Sequence, residues 1–221
     1  MKRIRKAAFN LSLWTGVLMA FGASSAPKAD PSPNSSHELM VLALKFVEYQ
    51  DPRTGKPVMN QIAAQKVVDG VNKIWGQCGL QVKLERYQPV NASTLAHDKL
   101  KFLLSSMDEL DRVRSTFDDK KDLVVINTGG WNHKKMGTAN AWTAMPGDAP
   151  SGAVIEGPVA TNATIIAHEL GHYLGLDHVS DPTDMMNPLI YDSSTVIYSA
   201  QCDSMRKVAQ EAHAQALRPS A

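Results

Sequence analysis

A chain of 221 residues, 43% hydrophobic and 20% charged, has the length of one domain and enough apolar side chains for an ordinary globular core. Its formal net charge of +1 and its scattered lysines and arginines exclude the basic patch by which nucleic-acid binders neutralise phosphates.

The first stretch, "MKRIRKAAFNLSLWTGVLMAFGASSAPKAD", has a basic head, an apolar middle and a small-residue exit. It reads as a secretory signal peptide over residues 1–25, with cleavage near Ser25 or Ala26 and a secreted or periplasmic destination. No stable membrane anchor is expected, because Asn10, Ser12 and Thr15 interrupt a short apolar run and no second hydrophobic span follows. Lys2, Arg3, Arg5 and Lys6 would leave with the leader, taking the formal charge from +1 to about −3. Residues 26–36, rich in proline, serine and asparagine, read as a flexible lead-in to a domain over residues 37–221.

Within that domain "ELMVLALKFVEY" reads as a buried strand, and "DPRTGKP" as a turn. "NQIAAQKVVDGVNKIWGQ" spaces Ile62, Val67, Val71, Ile74 and Trp75 as one helix face, and "GLQVKLERYQP" alternates as a strand. The three together imply a crossover unit. "TLAHDKLKFLLSSMDELDRVRSTF" places Leu100, Leu103, Met107, Leu110, Val113 and Phe117 three or four apart, which predicts one helix with a core-packing stripe. "DLVVINT" is short and apolar enough for a sheet-centre strand. A loop at "GGWNHKK" leads to "GTANAWTA", expected at a sheet edge, and to "GAVIE". "SAQCDSMRKVAQEAHAQAL" closes the chain as a helix. Alternating strands and helices predict an α/β fold with a mixed sheet.

The chemistry concentrates in "HELGHYLGLDH", residues 168–178. If "TNATIIAHELGHYL" is helical, His168 and His172 lie one turn apart on one face, within reach of a single ion. Glu169 is rotated about 100° from His168, too far to join that ligand set but able to lean over a water beside the ion. Gly175 can end the helix in a left-handed conformation and turn His178 back toward the ion. Three neutral imidazoles and a water form the open site of a catalytic Zn2+, whereas a structural zinc is closed by four protein ligands.

Eight residues after His178 stands Met186, in "VSDPTDMMNP". The stretch from His168 to Pro188 resembles the metzincin clan of zinc endopeptidases, and within it most closely the matrixins and their bacterial relatives. The resemblance implies His168, His172 and His178 as ligands and Glu169 as catalytic base. It makes Met186, rather than the adjacent Met185, the hydrophobic floor beneath the zinc. It also implies an upper sheet domain, a zinc helix at the cleft and a small irregular C-terminal subdomain ending in one helix. Pro188 occupies the place where astacins and serralysins carry a tyrosine, so no tyrosine ligand is expected. Neither the cysteine-bearing propeptide segment of matrixins nor their loop for structural zinc and calcium is visible. The lead-in is too short for a folded inhibitory domain, although His37 or Asp30 is a possible transient ligand. A gluzincin site is excluded unless an aspartate replaces its glutamate ligand, because no glutamate lies between Leu170 and Gln210.

Cys78 and Cys202 suit one disulfide in an oxidising compartment, with a free buried thiol or a zinc-blocking switch as the alternative. His37, His97, His133 and His213 lack ligand spacing and read as solvated or hydrogen-bonded residues. Trp131 and Trp142 are candidates either for the cleft or for packing, and Asp177 for a hydrogen-bond acceptor or ion-pair partner near the ligand histidines. The functional expectation is a secreted, monomeric zinc metalloendopeptidase acting on proteins or peptides, with "GTANAWTA" pairing with the substrate and "PLIYDSSTVIY" forming the pocket wall. The alternatives are a zinc-containing binding module without catalysis and a zinc hydrolase of a non-peptide substrate.

Overall fold

The computed structural model describes residues 38–94 and 100–220; the leader, the lead-in, His37 and His97 lie outside the described residues. Strand β1 (Met40–Tyr49), helix α1 (Gln61–Trp75) and strand β2 (Leu80–Val90) form the expected crossover, with β1 and β2 parallel. Helix α2 (Met107–Phe117) precedes the central strand β3 (Leu123–Thr128). A short helix α3 (His133–Met136), strands β4 (Ala141–Thr143) and β5 (Ala153–Glu156), helix α4 (Ala163–Tyr173), helix α5 (Ser199–Glu211) and a two-residue strand β6 (Leu217–Arg218) complete the order.

The sheet runs β2-β1-β3-β5-β4, parallel except for the edge strand β4, which is antiparallel to β5. β6 pairs antiparallel with Val41 and Leu42, on the side of β1 that β3 joins from Leu44 onward. Both faces are covered, which is why β1 and β3 read as nearly continuous apolar runs. Leu42, Leu44, Phe46, Leu123, Val125 and Ile155 pack with α1 and α4 on one face. Val47, Tyr49, Val124, Ile126 and Val154 pack with α2 on the other. The side-chain period of two in a strand produces that division.

Asn60 caps α1 by accepting from the Ala63 amide at 2.9 Å. The buried face is Ala64, Val67, Val68, Val71, Ile74 and Trp75. Ile62, expected on that stripe, is 74% exposed. It precedes the first core contact of the helix, where periodicity alone does not determine burial. At Gly70 a Cβ would stand 2.5 Å from Ala163 Cβ, so glycine lets α1 cross close against α4.

The single helix expected across residues 94–117 is half that length. Ser106 caps α2 at the Glu109 amide, and Glu109 Oε2 accepts from the Ser105 amide at 2.7 Å. Before this reciprocal cap the backbone is used differently: Gly129 donates to Phe102 O at 2.8 Å and Asn132 to Leu104 O at 2.8 Å. Leu100, Leu104 and Leu110 are buried, whereas Leu103 is 60% exposed.

Cys78, in the turn after α1, is disulfide-bonded to Cys202 in the first turn of α5. Arg206 adds hydrogen bonds to the Cys78 and Gly79 carbonyls at 3.2 Å. The C-terminal helix is thereby fastened to the sheet domain. Among the described residues no helix is long and apolar enough to cross a membrane.

Candidate active site

Helix α4 begins where Asn162 accepts from the amides of Thr164 and Ile165, at 2.9 and 3.2 Å. It ends where Gly175 takes φ +82 and the amides of Gly175 and Leu176 return to the carbonyls of His172 and Gly171. A side chain at position 175 would be strained and would also stand 3.2 Å from Val208. The turn sends the chain back so that His178 faces the helix.

The consequence is convergence of three imidazoles. His178 Nε2 lies 3.2 Å from His168 Nε2 and 3.0 Å from His172 Nε2. His168 Nδ1 donates to the Met185 carbonyl at 2.8 Å, and His172 Nδ1 to the Leu176 carbonyl at 2.7 Å. Those bonds place the protons on Nδ1 and turn the Nε2 lone pairs toward one point. Burial first, and then the two neighbouring imidazoles, hold His168 down at about 4; burial likewise lowers His172. Neutral imidazoles are the metal-binding form. Three lone pairs this close repel unless a cation lies between them. Zinc about 2.0–2.1 Å from tetrahedrally disposed nitrogens sets them about 3.3 Å apart, so the donor set fits that ion.

The acceptors behind the rings are main-chain carbonyls. Asp177, expected as an acceptor or a charge partner, is exposed and acts on His172 through its charge. Beneath the rings, Met185 and Met186 are fully buried. The Met186 carbonyl accepts from the Val179 amide at 3.0 Å, tying the turn to the segment that carries His178. A Cβ on Gly171 would stand 2.6 Å from Met186 Sδ. Glycine in that helical position is therefore what lets the methionine turn sit directly under α4, at a helix-propensity cost of about 1 kcal/mol against alanine.

Glu169 stands about 100° round the helix from His168 and is 6% exposed. Its Oε2 accepts from Thr143 Oγ1 at 2.5 Å. Burial pushes it up to about 7, against the lowering effect of that hydrogen bond. Glu169 and the three histidines line one cleft of about 780 Å³, bounded above by residues 138–143 of the β4 edge and below by Pro188, Leu189, Ile190 and Tyr191. Trp142, 45% exposed, lines this cleft. Trp131 instead packs in the core and donates from Nε1 to Thr128 at 2.9 Å.

Two residues that sequence reasoning did not single out shape the edge. Glu156, buried at the end of β5, accepts from the Trp131 amide at 2.7 Å, from Asn140 Nδ2 at 2.6 Å and from His133 at 3.1 Å, pinning the loop that leads into β4. Its signal was a single acid ending an otherwise apolar strand. Thr143 had no signal beyond its place in the edge strand. His213 donates to the Tyr173 carbonyl at 3.0 Å, at the C-terminal end of α4, and takes no part in the cleft.

The family model described as Matrixin matches residues 88–210. No curated protein matches the chain. Among solved structures, mature mirolysin of Tannerella forsythia in complex with a cleaved peptide is similar at 11% identity and a TM-score of 0.59, over 85% of this chain and all of that one. Metalloproteinase-II of Bacteroides fragilis is similar at 14% identity and a TM-score of 0.48, over 83% of this chain and 59% of that one. The mirolysin likeness bears on the fold, while the family match spans more than half of the sequence and includes every residue of the histidine cluster. The chain belongs to the matrixin family and is a metalloendopeptidase.

Proposed function

We propose that the protein is an exported zinc endopeptidase in which His168, His172 and His178 hold the metal and Glu169 is the general base. The observation that carries the reading is the convergence of three Nε2 atoms beside a buried carboxylate in one cleft. A zinc ion bound there supplies a Lewis acid for the scissile carbonyl and makes water nucleophilic at neutral pH. Glu169 accepts the proton of the attacking water and returns it to the nitrogen of the departing amine. The edge strand β4 offers main-chain groups to an extended peptide, which explains why such a site takes many sequences. Residues 188–191 wall the cleft opposite, and their apolar side chains favour an apolar residue of the substrate. Export is supported by the basic-apolar-small leader and by the Cys78–Cys202 bond, which persists in oxidising compartments. The functional unit is taken to be a monomer.

The test is hydrolysis of casein by protein purified from the exported fraction. Cleavage into peptides is expected, with loss of activity on incubation with a zinc chelator and recovery on adding back Zn2+. Cleavage that continues unchanged in zinc-depleted protein contradicts the metal assignment, and zinc-loaded protein that leaves casein intact contradicts the substrate class.

A further inference from the structure

We propose that Thr143 is a positioning residue for the reaction: its hydroxyl, presented by the strand along which the substrate lies, holds Oε2 of Glu169 and leaves Oε1 to face the attacking water. The inference rests on the reading of Glu169 as the base.

Thr143 is the last residue of β4, the edge strand, and pairs through its main chain with Ala153 of β5. Glu169 belongs to α4, below that edge. One hydrogen bond of 2.5 Å from Oγ1 to Oε2 therefore bridges the two elements that form the cleft. Both residues line the cleft. A glutamate has three rotatable side-chain torsions, and burial alone does not select which oxygen faces the reacting water. A hydroxyl has one proton to donate, so Thr143 fixes one carboxylate oxygen and cannot serve both. Bonds of this type, to a charged acceptor, are shorter and stronger than neutral ones.

The arrangement also links binding to chemistry. A peptide pairing with β4 engages the backbone that carries the Thr143 hydroxyl, so the strand that positions the substrate also positions the base. Glu156 and the loop it pins hold the approach to β4 and contribute to that rigidity. Positioning of this kind acts on the transition state, whereas the main chain of β4, which a side-chain substitution leaves in place, governs peptide affinity.

The experiment compares wild type, T143V, T143S, E169Q and E169Q/T143V on a fluorogenic peptide built from a site cut in casein, with zinc content and melting temperature measured for each. T143V removes only the donor from a side chain of the same shape. Its kcat is expected to fall about tenfold to a hundredfold, the effect of one hydrogen bond to a charged group, with KM changed less than about twofold and zinc content unchanged. T143S is expected to recover most of the rate, and E169Q/T143V to be no slower than E169Q, because the two residues act as a unit. Peptide affinity, read by fluorescence anisotropy on E169Q and E169Q/T143V, is expected to be equal. Undiminished kcat in T143V, an equal loss in T143S, or loss of zinc from T143V overturns the proposal. If E169Q itself retains wild-type activity, the failure lies with the base assignment instead.

Discussion

Glu169→Gln is expected to keep its zinc and its fold and to lose peptide hydrolysis by on the order of a hundredfold or more, the scale of a general base. Glutamine preserves the volume of the buried side chain and an acceptor for Thr143, so the hydrogen bond from Oγ1 has somewhere to go. What it removes is the capacity to take a proton from water and hand it to the leaving nitrogen. Because Glu169 is rotated about 100° from the face that carries His168 and His172, its loss leaves the imidazole cluster untouched. Burial pushes Glu169 up to about 7, and the neutral amide of glutamine carries no charge for that burial to penalise. Single-turnover hydrolysis together with metal analysis measures both halves of the expectation. A fully active Glu169→Gln, with zinc in place, would remove Glu169 from the mechanism.

The second large effect is on stability. The Cys78–Cys202 bond closes a loop across a separation of 124 residues, which the chain-entropy description values at about 5 kcal/mol before any native-state strain. The double variant C78A/C202A is therefore expected to lose several kcal/mol in urea unfolding, with a lower midpoint and a steeper slope, because the unlinked denatured chain exposes more surface. The bond joins the turn after α1 to the first turn of α5, while the three converging imidazoles lie on α4 and the segment that follows it. Zinc binding is accordingly expected to survive in whatever fraction remains folded. Equal midpoints with and without the two cysteines would show that the sheet domain and α5 hold together without the link.

Much of this architecture was legible because the chemistry of the site and the periodicity of the core leave marks in sequence. The spacing of His168, His172 and His178 with Gly175 translates directly into one helix face and one sharp turn, and the same residues converge in the structure. The central strands were legible for a different reason: β1 and β3 are covered on both faces and so read as apolar runs. Failures occurred where tertiary contacts overrode local pattern. Leu100 to Phe117 has helical spacing, but Ser105, Ser106 and Glu109 form a cap in mid-pattern, and the backbone from Phe102 to Leu104 bonds to residues 129–132 instead. Such long-range pairing has no period to reveal it. Thr143 and Glu156 were invisible because each is one polar residue at the end of a short strand, and its role appears only when α4 or the loop before β4 is folded against it. β6 was missed because two residues are too few to alternate.

The most direct measurement is anomalous diffraction at the zinc absorption edge from crystals of the exported protein, alongside metal analysis of His172→Ala. A single zinc is expected about 2.0–2.1 Å from the Nε2 atoms of His168, His172 and His178, with the metal lost from His172→Ala. An absent peak in zinc-replete crystals, a peak held by other side chains, or full zinc occupancy in His172→Ala would contradict the assignment of the site.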